Sequence, residues 1–184
     1  MQSPSTSHSS SFTFWHLVSY IFHPIFIPIY ILWFLAFVHP TFFAGFNDWE
    51  KWRTIIISMI NLVFFPLFTV LLLKGLGFID SIFLRSGKDR IIPYIAFGIF
   101  SFWAYTVFKE QHHYPREWST CIFGVFLASS AGLIANIYTR VSMHAMGMGG
   151  WMTFFMLLAY GGNLQIPWVL ALLALLTGLV CSAR

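Results

Sequence analysis

An arginine, a hydroxyl and an imidazole alternate along Arg140-Val141-Ser142-Met143-His144, at the start of a run rich in glycine and alanine. At the beginning of a helix this trio suits an anion. The first-turn backbone N–H groups and the positive end of the helix dipole add to the side-chain donors. A histidine there can pass a proton to a leaving oxygen near neutral pH. The purely structural alternative has Arg140 anchoring a helix at an interface and His144 capping it.

Further polar groups bear on the same chemistry. The segment from Asp80 to Arg90 carries Arg85, Lys88 and Arg90. Lys88 and Arg90 reach the same site if the helices that follow them and follow Arg140 pack together; taken alone, such a loop reads as an interfacial anchor. A third cluster is Ser182-Ala183-Arg184. His23, next to Pro24 and near Pro28, is assigned a structural role. Prolines free backbone carbonyls to which a histidine can donate, and no second histidine or carboxylate lies one turn away to complete a metal site. His112 and His113, with Glu110 and Glu117, match no usual metal-ligand spacing. No metal and no cofactor is expected.

The surroundings of these residues are set by composition. Of 184 residues, 58% are hydrophobic and 9% charged, with mean hydropathy +0.76. A soluble domain carries about 25% charge to keep its surface hydrated. Ten Lys/Arg and six Asp/Glu cannot coat a globule that also holds 22 Phe and 8 Trp. A soluble enzyme, a disordered tail and a nucleic-acid binder are excluded. The net charge of +4 and pI near 9.3 rest on few residues and read as membrane topology. Cys121 and Cys181 both lie in apolar runs, which offers neither a disulfide framework nor a CxxC metal site.

The expected fold is therefore all-α, a polytopic transmembrane helix bundle in contact with membrane lipids. Residues 1–13 form a polar Ser/Thr/Pro-rich tail without the positive n-region of a secretory signal. Residues 14–184 form a single helical domain. Crossing a bilayer core of about 30 Å takes roughly 20 apolar residues. Six spans are expected near 14–38, 54–73, 91–108, 118–139, 143–160 and 165–183. Pro66 is a kink candidate in the second, and Gly161-Gly162-Asn163 to Pro167 is the turn between the last two. Small residues at Ser129–Gly132 and Ala145–Gly149 mark close helix packing. Six spans put both termini on one side, together with Lys74, Arg85, Lys88, Arg90, Arg140 and Arg184. Lys51, Arg53, Lys109 and Arg116 fall opposite; six against four leans to a cytoplasmic N-terminus and leaves both orientations open.

In this order the clusters resemble the phosphatidic-acid phosphatase type 2 superfamily. Its motifs are a Lys followed by Arg-Pro, a Ser-x-His, and a Ser-Arg followed by a His and an Asp. Lys88-Asp89-Arg90-Ile91-Ile92-Pro93 looks like a compressed first motif, Arg140 to His144 like the second, and Ser182-Ala183-Arg184 like the start of the third. The segment Ser19 to Pro28 resembles a divergent bacterial branch of the kind found in Bacteroidetes-like genomes, which implies the bacterial inner (cytoplasmic) membrane. The resemblance implies hydrolysis of lipid phosphate or diphosphate groups. His144 would then be the general acid, with Lys88, Arg90, Arg140, Ser142 and Arg184 holding the phosphate and no metal required. Positioning and charge neutralisation supply most of the catalysis in phosphoryl transfer.

Three departures separate this chain from the family pattern. Phe83 stands where the family has its Lys, seven residues before the Arg; Ala183 interrupts Ser-Arg; no histidine follows His144. The family's nucleophile is a His after the third-motif Arg. Either the sequence continues past Arg184 to that histidine and a seventh span, or the protein is a pseudoenzyme. The competing function is a non-catalytic membrane subunit, held to protein partners in a larger complex by aromatic and small-residue faces. A transporter ranks last, because the kinked first span has no counterpart in the second half.

Overall fold

The computed structural model describes residues 20–79, 81, 87–139, 141–161 and 166–182. Those residues form helices joined by short turns, with no strand among them. We number the helices α1 (Ile27–Val38), α2 (Asp48–Gly75), α3 (Ile91–Glu110), α4 (Arg116–Tyr138), α5 (Met143–Tyr160) and α6 (Pro167–Ser182). Three of them, α2, α3 and α4, are long and apolar enough to cross a membrane. The other three fall short for readable reasons. Where one helix was expected from residue 14 to 38, the backbone breaks at His23–Phe26, and α1 starts only at Ile27. Pro24 lacks an N–H and disfavours helical backbone in the residue before it. Helix α5 begins with a histidine and several glycines, which lowers its apolarity, and α6 has 16 residues.

Proline also shapes α2. The segment Ile60–Phe64 is a π-turn, closed by the Phe65 N–H on the Ile60 carbonyl, immediately before Pro66. A proline inside a helix removes one hydrogen bond, and a π-bulge re-pairs the carbonyls around it. Helix α1 ends in a similar turn over Phe34–Val38, with the His39 N–H on the Phe34 carbonyl at 2.8 Å.

Helix α1 lies at the centre, against α2, α4 and α5, and its Leu32, Leu35 and Ala36 are fully buried. Helices α3 and α4 pair along their length, as do α5 and α6. Hydroxyls inside the bundle are met by their own helix: Thr54 donates to the Glu50 carbonyl and Ser58 to the Thr54 carbonyl, each at 2.7 Å. This back-bonding lets small polar residues sit in an apolar interior. Large apolar residues such as Ile99, Trp103, Ile134 and Leu175 cover the outside, each more than half exposed. In water that surface would be strongly unfavourable, whereas in hydrocarbon it is the ordinary outer face of a bundle.

The bundle has two ends. One gathers residues 20–26, the turn 87–90, the end of α4 and the start of α5. The other gathers residues 39–50 and 110–118. We call them the Arg90 end and the Asn47 end.

Candidate functional site

The Arg90 end is tied together by contacts between residues far apart in sequence. The Gly87–Arg90 turn leads into α3, with the Ile91 N–H on the Lys88 carbonyl at 3.2 Å. From it the Arg90 guanidinium donates to the Val141 carbonyl at 3.1 Å. Asn136, near the end of α4, donates through its amide nitrogen to the Gly87 carbonyl at 2.8 Å. Sequence reasoning expected Lys88 and Arg90 to reach Ser142 and His144 through packing of α3 on α5. The observed route is shorter: α3 packs mainly on α4, and the Arg90 side chain itself bridges to the strand of chain that enters α5.

Ser142 is the N-cap of α5, its Oγ accepting from the Ala145 N–H at 3.3 Å. The Met146 N–H bonds the Ser142 carbonyl at 3.1 Å, so the N–H groups of Met143 and His144 lie outside the intrahelical ladder at the helix mouth. The capping role that sequence reasoning offered to His144 thus belongs to Ser142. His144 points inward and is buried. Its ring lies edge-on to His23, with ring centroids 5.2 Å apart at 84°.

The sequence carries no sign of that histidine pair, because no partner lies near His23 in the chain. Its partner arrives through a close approach of α5 to the segment before α1. A Cβ at Gly147 would stand 2.8 Å from the Pro24 Cβ and 2.9 Å from Ile27. Only a glycine permits that contact, and Gly147 lies one turn from His144 on the same helix face. Small residues act likewise at Gly132, where a Cβ would meet the Met146 side chain at 2.6 Å and the Tyr94 ring at 2.9 Å. The expected packing role of Ser129–Gly132 and Ala145–Gly149 holds at Gly132 and Gly147, while a Cβ at Gly149 or Gly150 would meet open space.

Two buried polar atoms at this end have no hydrogen-bond partner among the described residues: the Tyr94 hydroxyl and the Asn136 carbonyl oxygen. Buried polar atoms are nearly always paired, so two beside a cationic turn suit a polar ligand or ordered water. Of the expected site residues, the structure brings Arg90, Ser142 and His144 to one end. Lys88 is exposed on the turn that leads to Arg90. Arg140 and Arg184 lie outside the described residues. Comparison with family models, with curated proteins and with solved structures finds no match.

The Asn47 end has a different character. Asn47 and Glu50 form a reciprocal capping box at the start of α2, with bonds of 2.8 and 2.9 Å. His113 stacks on Phe46, with centroids 5.6 Å apart and planes at 19°, and packs against Tyr114. Its ring is therefore part of an aromatic stack. Among the described residues no three His, Cys, Asp or Glu side chains gather as a metal site.

Proposed function

We propose that the protein is an integral membrane protein whose six helices all lie in the bilayer, and that it acts on lipid phosphate or diphosphate groups at the Arg90 end. The observation that carries this reading is the bond from Arg90 to Val141. It joins the segment that resembles the first motif to the one that resembles the second, at one end of the bundle.

In this reading Lys88 and Arg90, with Arg140 and Arg184, neutralise the phosphoryl oxygens. An arginine offers five N–H donors in a planar fork, which suits a phosphate. The Ser142 hydroxyl and the start of α5 supply further donors, in the way helix N-termini bind anions. His144 is the general acid. As the phosphorus–oxygen bond to the lipid breaks, the alcohol oxygen takes the imidazole proton. Turnover also needs a nucleophile, which in the superfamily is a histidine after the third-motif Arg; no histidine follows His144 in this sequence, so His144 and the cations complete the cycle only together with such a group. Such a histidine forms a nitrogen–phosphorus bond that water then cleaves, releasing phosphate. His23 is a positioning residue that holds the edge of the His144 ring.

The test is phosphate release from phosphatidic acid by the purified full-length protein, with His144→Ala beside it. Wild-type release that collapses in the variant supports the reading. Equal rates remove it, and silence of both, together with co-purification of a stable partner, favours a non-catalytic subunit of a membrane complex.

A further inference from the structure

Between α3 and α4 runs a groove of about 530 Å³, lined almost wholly by apolar side chains. It follows α3 from Tyr94 to Thr106, which at 1.5 Å per residue is about 18 Å. That is close to one leaflet of a hydrocarbon core about 30 Å thick. Its hollow comes from small residues on both helices, Gly98 on α3 and Ser130 on α4, where larger side chains would fill the seam. Ile95, Ile99 and Phe102 form its outer rim and are 44%, 61% and 46% exposed.

One end of the groove is polar. Tyr94 closes it, and the Tyr94 hydroxyl is one of four buried side-chain polar atoms without a partner among the described residues. Arg90 lies one helical turn before Tyr94, on the same face of the approach to α3. On α4, Asn136 lies one turn beyond the groove residue Leu133, and its carbonyl oxygen is another such atom. The Gly87–Arg90 turn, pinned there by Asn136, adds Lys88. The seam thus runs from a cationic, hydrogen-bonding end into a hydrocarbon-lined trough one leaflet long.

We infer that this groove seats one acyl chain of an anionic phospholipid, with the headgroup phosphate between Arg90, Lys88 and the Tyr94 hydroxyl. The Tyr94 O–H donates to a phosphate oxygen, and the Asn136 oxygen accepts from a protonated phosphate or headgroup hydroxyl. Charge complementarity selects the occupant: among the described residues of the turn, two cations against Asp89 favour an anionic headgroup over a zwitterionic one. The inference rests on the phosphate-binding reading of the Arg90 end and adds the path of the lipid tail and two residues, Tyr94 and Asn136, that choose the headgroup.

The experiment is photo-cross-linking of the full-length protein in phosphatidylcholine vesicles that contain phosphatidic acid with a diazirine on one acyl chain. Adducts are mapped by peptide mass spectrometry, and diazirine-labelled phosphatidylcholine serves as the comparison. Expected are phosphatidic-acid adducts concentrated on Ile95–Phe102 and Leu133, over the equally lipid-exposed Leu172 and Leu175 of α6. Phosphatidylcholine adducts should spread over both faces. Tyr94→Phe, which keeps the ring against Gly132, should cut the selectivity for phosphatidic acid by about tenfold, the worth of one hydrogen bond to a charged group. Adducts spread evenly over all outer faces, or the same map from both lipids, would overturn the inference. The map needs no turnover and can be repeated in His144→Ala. Selective labelling without phosphate release would leave the groove standing and remove the enzyme, and release with even labelling would do the reverse.

Discussion

The two ends of the bundle hold similar residue types and use them in opposite ways. At the Asn47 end polar groups close on their near neighbours: Asn47 with Glu50, Lys51 with Asp48 and His39 with Thr41, each within three residues. At the Arg90 end the bonds span 51 residues from Arg90 to Val141 and 49 from Asn136 to Gly87. Local closure caps a helix and anchors it at the interface, and needs nothing from the rest of the fold. Long-range closure assembles side chains that no single helix could bring together. Buried side-chain polar atoms without partners among the described residues occur at both ends, the Tyr94 hydroxyl and the Asn136 amide oxygen at the Arg90 end and Trp118 Nε1 at the Asn47 end, but only the first two lie beside cations. The first arrangement is what an anchor requires, the second what a binding site requires.

This contrast can be broken by substitution at matched positions. The largest expected effect is on turnover. His144→Ala should lower phosphate release by about 10²–10⁴-fold, the range for a general acid. His113→Ala, which removes a stacking ring at the Asn47 end, should leave turnover within about twofold and cost only about 0.5–1.5 kcal/mol of stability from the lost ring contact. A His113 variant as inactive as the His144 variant would erase the distinction between the ends.

The next effect is on packing. Gly147→Ala drives a methyl group into Pro24, a rigid ring beside fixed backbone, and should destabilise by about 1–3 kcal/mol. Gly149→Ala, two residues on and facing open space, should be neutral or stabilising by up to about 1 kcal/mol, since alanine is the better helix former. Thermal unfolding in detergent reads both. The Gly147 variant should also lose turnover, because the same contact sets His23 against His144.

Smaller differences sharpen the comparison further. Asn136→Ala removes the bond to the Gly87 carbonyl and should cost about 1 kcal/mol. Asn47→Ala, which breaks the capping box, should cost a similar amount. Only the Asn136 variant should weaken phosphatidic-acid binding, because only it releases the cationic turn. Lys51→Ala removes an ion pair whose acid, Asp48, is 84% exposed, and unfolding should show a change below about 1 kcal/mol.

Much of this organisation is legible in the residue order. Hydropathy and sparse charge give α3 to α6 to within a few residues, and the end of α5 before Gly161 and the start of α6 at Pro167 fall where glycine and proline place them. The residue order ties an approach of Arg90 to the Ser142–His144 segment to packing of α3 on α5, whereas Arg90 reaches the Val141 carbonyl from a helix packed mainly on α4. The His23–His144 pair is not legible there, because nothing in the spacing around His23 signals a partner more than a hundred positions away. The determinant is Gly147, one of many glycines, and only the crossing of two helices shows which of them is needed. The shortness of α1 is likewise missed by hydropathy, which counts Phe14 to Val38 as one run and cannot weigh the break at Pro24 against it.

The most direct test of the Arg90 end as a phosphate site is the thermal shift that inorganic phosphate produces in the detergent-solubilised protein. A ligand that binds only the folded state stabilises it by RT ln(1 + [L]/Kd), about 2.7 kcal/mol at a hundred times Kd. We expect phosphate to raise the unfolding temperature of the wild type and of Lys51→Gln, and to leave that of Lys88→Gln/Arg90→Gln unchanged from its own phosphate-free value. A shift of equal size in all three proteins, or in none of them, would contradict the account.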